Sequence, residues 1–357
     1  MKLLSTLSLA FGAFACVRAD VRNAGVEQFL RRVSEGFSGN EVADSLRAEM
    51  YAQPERLLED REWPPLPKTP RKEVLSVLSG MSQYGIAKTL DKLTSFHSRN
   101  SFAPSAREAG RWIAQSLKDS GADKVDLVEF SDKMCPNVVA EFRGVSDEIV
   151  VVGAHYDCRN EDVNDIILPA PGADDNGSGT SSLLNLARVF GDLRRRNGFK
   201  PEKTVHVQFY CGEEQGLFGS KALAEQYKNE DRNVYAMVNF DMMAWQATPQ
   251  STPPYDDPIT LGIMDRFVSP SLSAYVQDIV KLYLPGLAVE ETPACCSDSY
   301  SYHQEGFHSV GLAENRREYT AYPWYHTTED TIDKINLFQL EMHAKALAAI
   351  VSTLAGV

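Results

Sequence analysis

Beyond its first two dozen residues the sequence holds no apolar run of the ~20 residues a membrane-spanning helix needs, which excludes an internal span. Positive charge is in short supply. Against 49 Asp and Glu stand 36 Lys and Arg, a net charge of −13, which would repel nucleic acid and anionic membranes alike; neither is expected as a partner. Cysteine is scarce, six in 357 residues, and no pair has the spacing of a structural zinc site. There is no internal repeat, so a solenoid or propeller is excluded. What is present is ordinary for a globular protein: 43% hydrophobic and 24% charged residues, enough for one large core or two smaller ones.

The N-terminus reads as an address. Lys2 precedes the short apolar stretch Leu3 to Val17, and Val17-Arg18-Ala19 offers a cleavage site before Asp20, the pattern of a secretory signal. Residues 1–19 are therefore expected to be removed and the protein to be secreted and extracellular. Cys16 leaves with them, and Cys135, Cys158, Cys211, Cys295 and Cys296 remain. Five is odd, so at least one thiol stays unpaired. If Val138 to Phe142 and Ile149 to Ala154 form a hairpin turning near Val145 to Asp147, Cys135 and Cys158 meet at its open end. That pairing is the first expectation. Cys295 and Cys296 are adjacent, and a vicinal bridge or a bridge to Cys211 both remain open.

Residues 20–78 differ from the rest, with Arg31-Arg32, Glu59-Asp60-Arg61-Glu62 and the proline-rich Trp63-Pro64-Pro65-Leu66-Pro67. Short helices are expected near Val26 to Val33 and Val42 to Met50. The segment reads as a pro-segment, or else as an N-terminal extension of the mature protein, ahead of a catalytic domain at 79–357. From Ser79 strands and helices alternate, which argues for a layered α/β domain. Ser105-Ala106-Arg107-Glu108 has the form of a capping box. Leu337, Leu340, Ala344, Leu347, Val351 and Leu354 mark one stripe of a final helix.

Four candidate strands end in polar residues that a core would not hold. Ile149 to Ala154 runs into His155-Tyr156-Asp157, and Val205 to Tyr210 into Cys211-Gly212-Glu213-Glu214. Val234 to Phe240 runs into Asp241, and Ser309 to Ala313 into Glu314-Asn315. In open α/β sheets such carboxyl ends gather at one site. Unpaired buried carboxylates are costly, and a divalent cation is one way to hold several together. Any one of these residues alone has a plainer reading, as a core histidine, a helix cap or a solvated charge. Their combination is harder to dismiss. Asp157 lies on the same face of an extended chain as His155 and is placed to orient its imidazole. In Pro171 to Gly179 two successive aspartates, Asp174 and Asp175, crowd a loop of small residues. The one N-x-S/T sequon, Asn176-Gly177-Ser178, falls there, where burial would exclude glycosylation. Neighbours Glu213 and Glu214 point to opposite sides, one toward a metal and one toward substrate, as a hydrolase requires.

Five segments stand in one order: Gly153-Ala154-His155-Tyr156-Asp157, Gly172 to Gly179, Gly212-Glu213-Glu214-Gln215-Gly216-Leu217-Phe218-Gly219-Ser220, Asn239-Phe240-Asp241-Met242, and Tyr325-His326-Thr327-Thr328-Glu329-Asp330-Thr331. From about Gly85 onward the chain thus resembles the secreted dizinc leucyl aminopeptidases of bacteria and fungi. The resemblance implies the three-layer α/β zinc-exopeptidase fold, a mixed, mostly parallel central sheet flanked by helices. It implies two Zn2+ ions per chain, one on His155 and Asp241, the other on Glu214 and His326, with Asp175 bridging them. Glu213 would be general base, and the Asp175–Asn176 peptide would be cis. Tyr325 is a candidate for polarising the substrate carbonyl, or pocket wall. Met242, Met243 and Tyr325 are candidates for an apolar pocket. A monomer acting on peptides with a free N-terminus is expected.

One departure stands out. The family spaces the two cysteines before Ser-Asp several residues apart, whereas Cys295 and Cys296 are adjacent before Ser297-Asp298, and the loop aromatic of some members is not evident at Pro293 or Ala294. The ligand types suit zinc without excluding cobalt or manganese. Rival readings are a one-zinc glutaminyl-peptide cyclotransferase, a binding relative that has lost catalysis, and a carboxypeptidase or dipeptidase. The last would need a cation to grip a substrate carboxylate, for which Arg316-Arg317 is the nearby candidate.

Overall fold

The computed structural model describes residues 16–17, 23–246 and 258–357. Most of the expected signal segment therefore lies outside the described residues. Cys16–Val17 form a two-residue strand, β1, at the edge of the sheet. No helix among the described residues is long and apolar enough to cross a membrane.

Among the described residues nine strands make one sheet. After β1 come β2 (Lys124–Val128), β3 (Asn137–Phe142), β4 (Ile149–His155), β5 (Thr204–Tyr210), β6 (Val234–Phe240), β7 (Thr260–Met264), β8 (Ala288–Thr292) and β9 (Ser309–Ala313), in the order β1-β2-β3-β5-β4-β6-β9-β7-β8. The central β5-β4-β6-β9 run is parallel, while β2–β3, β3–β5 and β7–β9 are antiparallel. β4 is buried along its whole length, as its near-continuous apolar sequence requires. Its side chains alternate between two cores. Val150, Val152 and Ala154 join the larger one, shared with α5 (Pro104–Asp119), α6 (Gly179–Asn197) and α10 (Leu337–Leu354). Ile149 and Val151 face the smaller one, with Leu223, Ala224 and Tyr227 of α7 (Phe218–Asn229) and Tyr302 of α9 (Ser299–Gln304). The three-layer α/β architecture with a mixed, mostly parallel sheet is as expected.

The final helix buries Leu340, Ala344, Leu347, Val351 and Leu354 of the expected stripe, while Leu337 at its first turn is only partly buried, and Asn336 caps it by accepting from the amides of Phe338 and Gln339. The capping box at Ser105 does not form. Pro104 begins α5 one residue earlier, and the Ser105 hydroxyl donates instead to the carbonyl of Ser98. The remaining helices are α1 (Ala24–Ser34), α2 (Gly39–Ala52), α3 (Lys72–Gly80), α4 (Gln83–Thr94) and α8 (Pro270–Tyr283). In α2 Ser38 and Glu41 do make the reciprocal capping box.

The Cys135–Cys158 pairing is wrong. β3 and β4 are not a hairpin, because β5 lies between them and pairs with both. Cys135 therefore meets Cys211 at the end of β5, with Cα atoms 5.8 Å apart. Cys158 is the buried free thiol, and Cys295 and Cys296 bridge each other.

Candidate metal centre

Because β4, β5, β6 and β9 are parallel, the polar residues after them emerge on one edge of the sheet. His155 ends β4, Glu213 and Glu214 follow β5, and Asp241 follows β6. Asp175 comes from the tight turn Ala173–Ser178 that opens α6, and His326 from the loop after β9. His155 Nε2 lies 3.2 Å from Asp241 Oδ1 and 3.3 Å from Asp175 Oδ1. His326 Nε2 lies 3.0 Å from Glu214 Oε2 and 3.2 Å from Asp175 Oδ2. The two oxygens of Asp175 thus face opposite imidazoles. The Asp175–Asn176 peptide is cis, as the resemblance implies.

The turn is held from several sides. Asp330 accepts from the amides of Asp174 and Asp175, both at 3.0 Å, and from the Tyr322 hydroxyl. Fully buried Arg99 donates to the carbonyls of Leu93, Tyr156, Pro171 and Gly172. Gly172 sits at φ +51°, and a Cβ there would come 2.4 Å from that of Cys158 and 2.5 Å from the Asp175 carbonyl oxygen. Only glycine allows that approach. Asn176 is fully buried, its amide donating to the Phe240 carbonyl, so the sequon is closed to glycosylation in the folded chain. Leu217, Met242 and His326 adopt left-handed backbone, a strain that folds tend to concentrate at functional sites.

Burial alone would raise Asp175, but His155 and His326 outweigh it and hold its carboxyl well below the usual range. Burial likewise opposes charge on His155, yet Asp241, Asp157 and Asp175 together push its pKa well up. Glu213 is pushed well up, by burial first. Behind the turn, burial lifts Asp174 to about 6 and Asp330 to about 7. Glu314 is driven well above the carboxylate range by burial and by Asp174, with which it is hydrogen-bonded. Those three acids back the loop with carboxyls that burial makes harder to ionise, and Glu314 also accepts from the Trp245 amide.

The residues fit a metal. His155, Asp175 and Glu214 offer ligand atoms all within 4.8 Å of one another. Both carboxylate oxygens of Glu214 and the Nε2 of His326 are buried without a hydrogen-bond partner, a cost that a cation would remove. Two imidazoles and three carboxylates form a donor set suited to zinc.

The other expected residues fall around this cluster. The carboxylate of Asp157 lies 3.6 Å from His155 Nδ1, while its own carbonyl oxygen is closer, at 3.1 Å. The Asp157 carboxylate instead accepts from the Ser101 hydroxyl at 2.8 Å and faces the amides of Glu213 and Glu214, each at 3.4 Å. Tyr325 stacks on His326 with ring centroids 3.6 Å apart. Met242 packs in an aromatic cluster with Trp245, Tyr319 and Tyr322, whereas Met243 belongs to the main core. Arg316 pairs with Glu290 on β8.

Sequence reasoning missed Arg99 and Arg47. Arg99 works through backbone carbonyls, which leave no side-chain partner to pair with it in the sequence. Arg47 on α2 places Nη2 3.3 Å from Glu213 Oε2. Asp298 was likewise assigned no role; it is buried with neither oxygen hydrogen-bonded, and burial lifts it to about 7.

A profile described as Peptidase family M28 matches residues 137–351. The chain is 32% identical over 299 residues to leucine aminopeptidase 1 of Sclerotinia sclerotiorum, covering 82% of this chain and 76% of that protein. It is 31% identical over 292 residues to leucine aminopeptidase 1 of Trichoderma harzianum, covering 80% and 72%. Among solved structures, LapB from Legionella pneumophila superposes with TM-score 0.71 at 23% identity, over 90% of this chain and 82% of that one. BSAP, a zinc aminopeptidase from Bacillus subtilis, superposes with TM-score 0.63 at 16% identity, over 77% and 96%. These two structural likenesses speak to the fold.

Proposed function

The chain belongs to peptidase family M28 and is a zinc-dependent aminopeptidase, and we propose that it works with two zinc ions held by His155, Asp175, Glu214, Asp241 and His326. The observation that carries the two-ion reading is the division of Asp175, with Oδ1 toward His155 and Oδ2 toward His326. His155 and Asp241 would hold one ion, Glu214 and His326 the other. Bound zinc supplies Lewis-acid polarisation of the scissile carbonyl and makes water a better nucleophile near neutral pH.

The chain's own residues do the rest. The Glu213 carboxylate takes a proton from the attacking water as its oxygen adds to the carbonyl carbon. It then delivers that proton to the amide nitrogen as the C–N bond breaks. Asp157, facing the amides of Glu213 and Glu214, fixes the backbone that carries base and ligand. Tyr325, stacked on His326, offers a phenol to the carbonyl oxygen. A cluster this acidic favours the α-ammonium of a free N-terminus. The apolar wall of Met242, Trp245, Tyr319 and Tyr322 suits a large apolar first side chain such as leucine.

Two disulfides suit an oxidising compartment and support reading the N-terminus as a secretory signal. The test is release of p-nitroaniline from a panel of aminoacyl p-nitroanilides, free and N-acetylated, by the processed, zinc-loaded protein. The expected pattern is cleavage of free-amine substrates alone, lost on chelation and reduced about 100-fold or more in Glu213→Gln. Cleavage of acetylated substrates, or full activity in Glu213→Gln, would contradict it.

A further inference from the structure

Four successive polar residues, Ser98 to Ser101, lie between α4 and α5, each 0–1% exposed. A chain buries such a run only where its polar groups find partners. Here the partners belong to the segments that carry the metal ligands. Resting on the two-ion reading of the centre, we infer that Arg99 is a positioning residue that sets the spacing between His155 and Asp175. It thereby governs the ion on the His155 side, while the ion on the His326 side has a separate support.

The guanidinium spans the two ligand segments. Its Nε donates at 2.8 Å to the carbonyl of Tyr156, the residue after His155. Nη1 donates to the Pro171 carbonyl at 2.6 Å and Nη2 to the Gly172 carbonyl at 2.8 Å, where the Asp175 turn begins. The Gly172 carbonyl also accepts from the Gly177 amide at 3.0 Å, the bond that closes the turn around Asp175. One rigid plane thus holds the end of β4 and the start of the turn at a fixed separation. Across it, His155 Nε2 and Asp175 Oδ1 stand 3.3 Å apart.

The strut is anchored at its base. Nη1 also donates to the Leu93 carbonyl in the last turn of α4, at 3.0 Å. The Arg99 carbonyl faces the Cys158 amide at 3.4 Å, and Asn100 donates its side-chain amide to the Val163 carbonyl at 2.8 Å. Every hydrogen bond of the guanidinium goes to a backbone carbonyl. Such partners fix position without neutralising the charge, and arginine cannot shed its proton. Lysine is no equivalent, because one ammonium point cannot serve four carbonyls that a planar fork reaches.

The other half of the turn is held differently. Asp330, on the loop that carries His326, accepts from the amides of Asp174 and Asp175, both at 3.0 Å. Arg99 therefore ties the turn to His155, and Asp330 ties it to His326. Loss of Arg99 lets the end of β4 drift from Asp175 Oδ1, while Oδ2 keeps its place 3.2 Å from His326 Nε2.

The experiment measures both zinc affinities of the processed protein by competition with a chromophoric chelator. Parent, R99K and R99M are compared with L340A, which loosens the buried face of α10 away from the turn. One dissociation constant should rise about 30-fold in R99K and further in R99M. The other should stay within about threefold, and both should do so in L340A. In an H155A background, adding R99K should shift the remaining affinity by less than about threefold. Equal weakening of both ions, no weakening, or the same loss in L340A would each overturn the inference.

A second measurement needs no variant of Arg99. Arg99 and Arg159 are the buried arginines among the described residues, so arginine-labelled protein should show two slowly exchanging Nε–H signals by NMR, and R159K removes one. The signal that remains should shift when zinc is added to the metal-free parent and stay still in H155A. A signal indifferent to zinc in the parent overturns the inference even if R99K and R99M fail to fold. A parent that binds a single zinc sinks the two-ion reading, and the Arg99 signal then still decides whether this residue answers to an ion on His155.

Discussion

At the scale of single residues, chemistry follows surroundings more than identity. Cys158 is the clearest case, a thiol that donates to the Ala170 carbonyl at 3.0 Å and whose pKa burial pushes up to about 12. At pH 8 only about one thiol in ten thousand would be ionised. In a chain lacking residues 1–19, native protein at pH 8 should leave a disulfide-based thiol reagent untouched, and denatured protein should take up one equivalent. Rapid uptake by native protein would mean that the pocket around Cys158 opens. His155, Glu213, Glu214 and Asp241 were legible in the sequence because each follows an apolar run with a group no core would accept, Asp175 because two aspartates crowd a loop of small residues, and His326 only through the resemblance to the family. Arg99 and Arg47 were not. One satisfies carbonyls scattered from Leu93 to Gly172, and the other reaches the base from 166 positions upstream. No local pattern encodes either distance.

At the scale of elements, strand order decides what meets what. Local patterns identified β3, β4, β5, β6 and β9 nearly to the residue, and the mostly parallel sheet was implied by the resemblance to the family. The insertion of β5 between β3 and β4 was not, because sequence neighbours are the natural first guess for a pair and here a later strand intervenes. That single crossing moved the disulfide from Cys158 to Cys211. The bridge now ties the start of β3 to the end of β5 across 76 positions, a loop long enough for a covalent link to restrict the unfolded chain substantially. Replacing both cysteines by alanine should lower stability by about 3 kcal/mol, read as a lower midpoint in urea unfolding with a somewhat steeper slope, because the unlinked denatured chain exposes more surface. A loss under about 1 kcal/mol would show that the sheet holds this corner without help. The capping box at Ser105 failed for a related reason: Pro104 starts the helix earlier, and the serine hydroxyl finds a carbonyl from another segment.

At the scale of the whole molecule, a sheet with a core on each face brings four strand ends and one tight turn to a single acidic edge. Behind the loop, burial pushes the carboxyls of Asp174, Glu314 and Asp330 above their usual range. From α2, Arg47 reaches the Glu213–Glu214 pair at that edge. The five proposed ligands are the centre of this account, and counting metal tests them most directly. The processed protein, loaded with zinc and freed of excess, should hold two zinc ions per chain by elemental mass spectrometry. The His155→Ala variant, with its fold verified by circular dichroism, should hold about one. Two ions retained without His155, or fewer than one in the parent protein, would contradict the proposed centre.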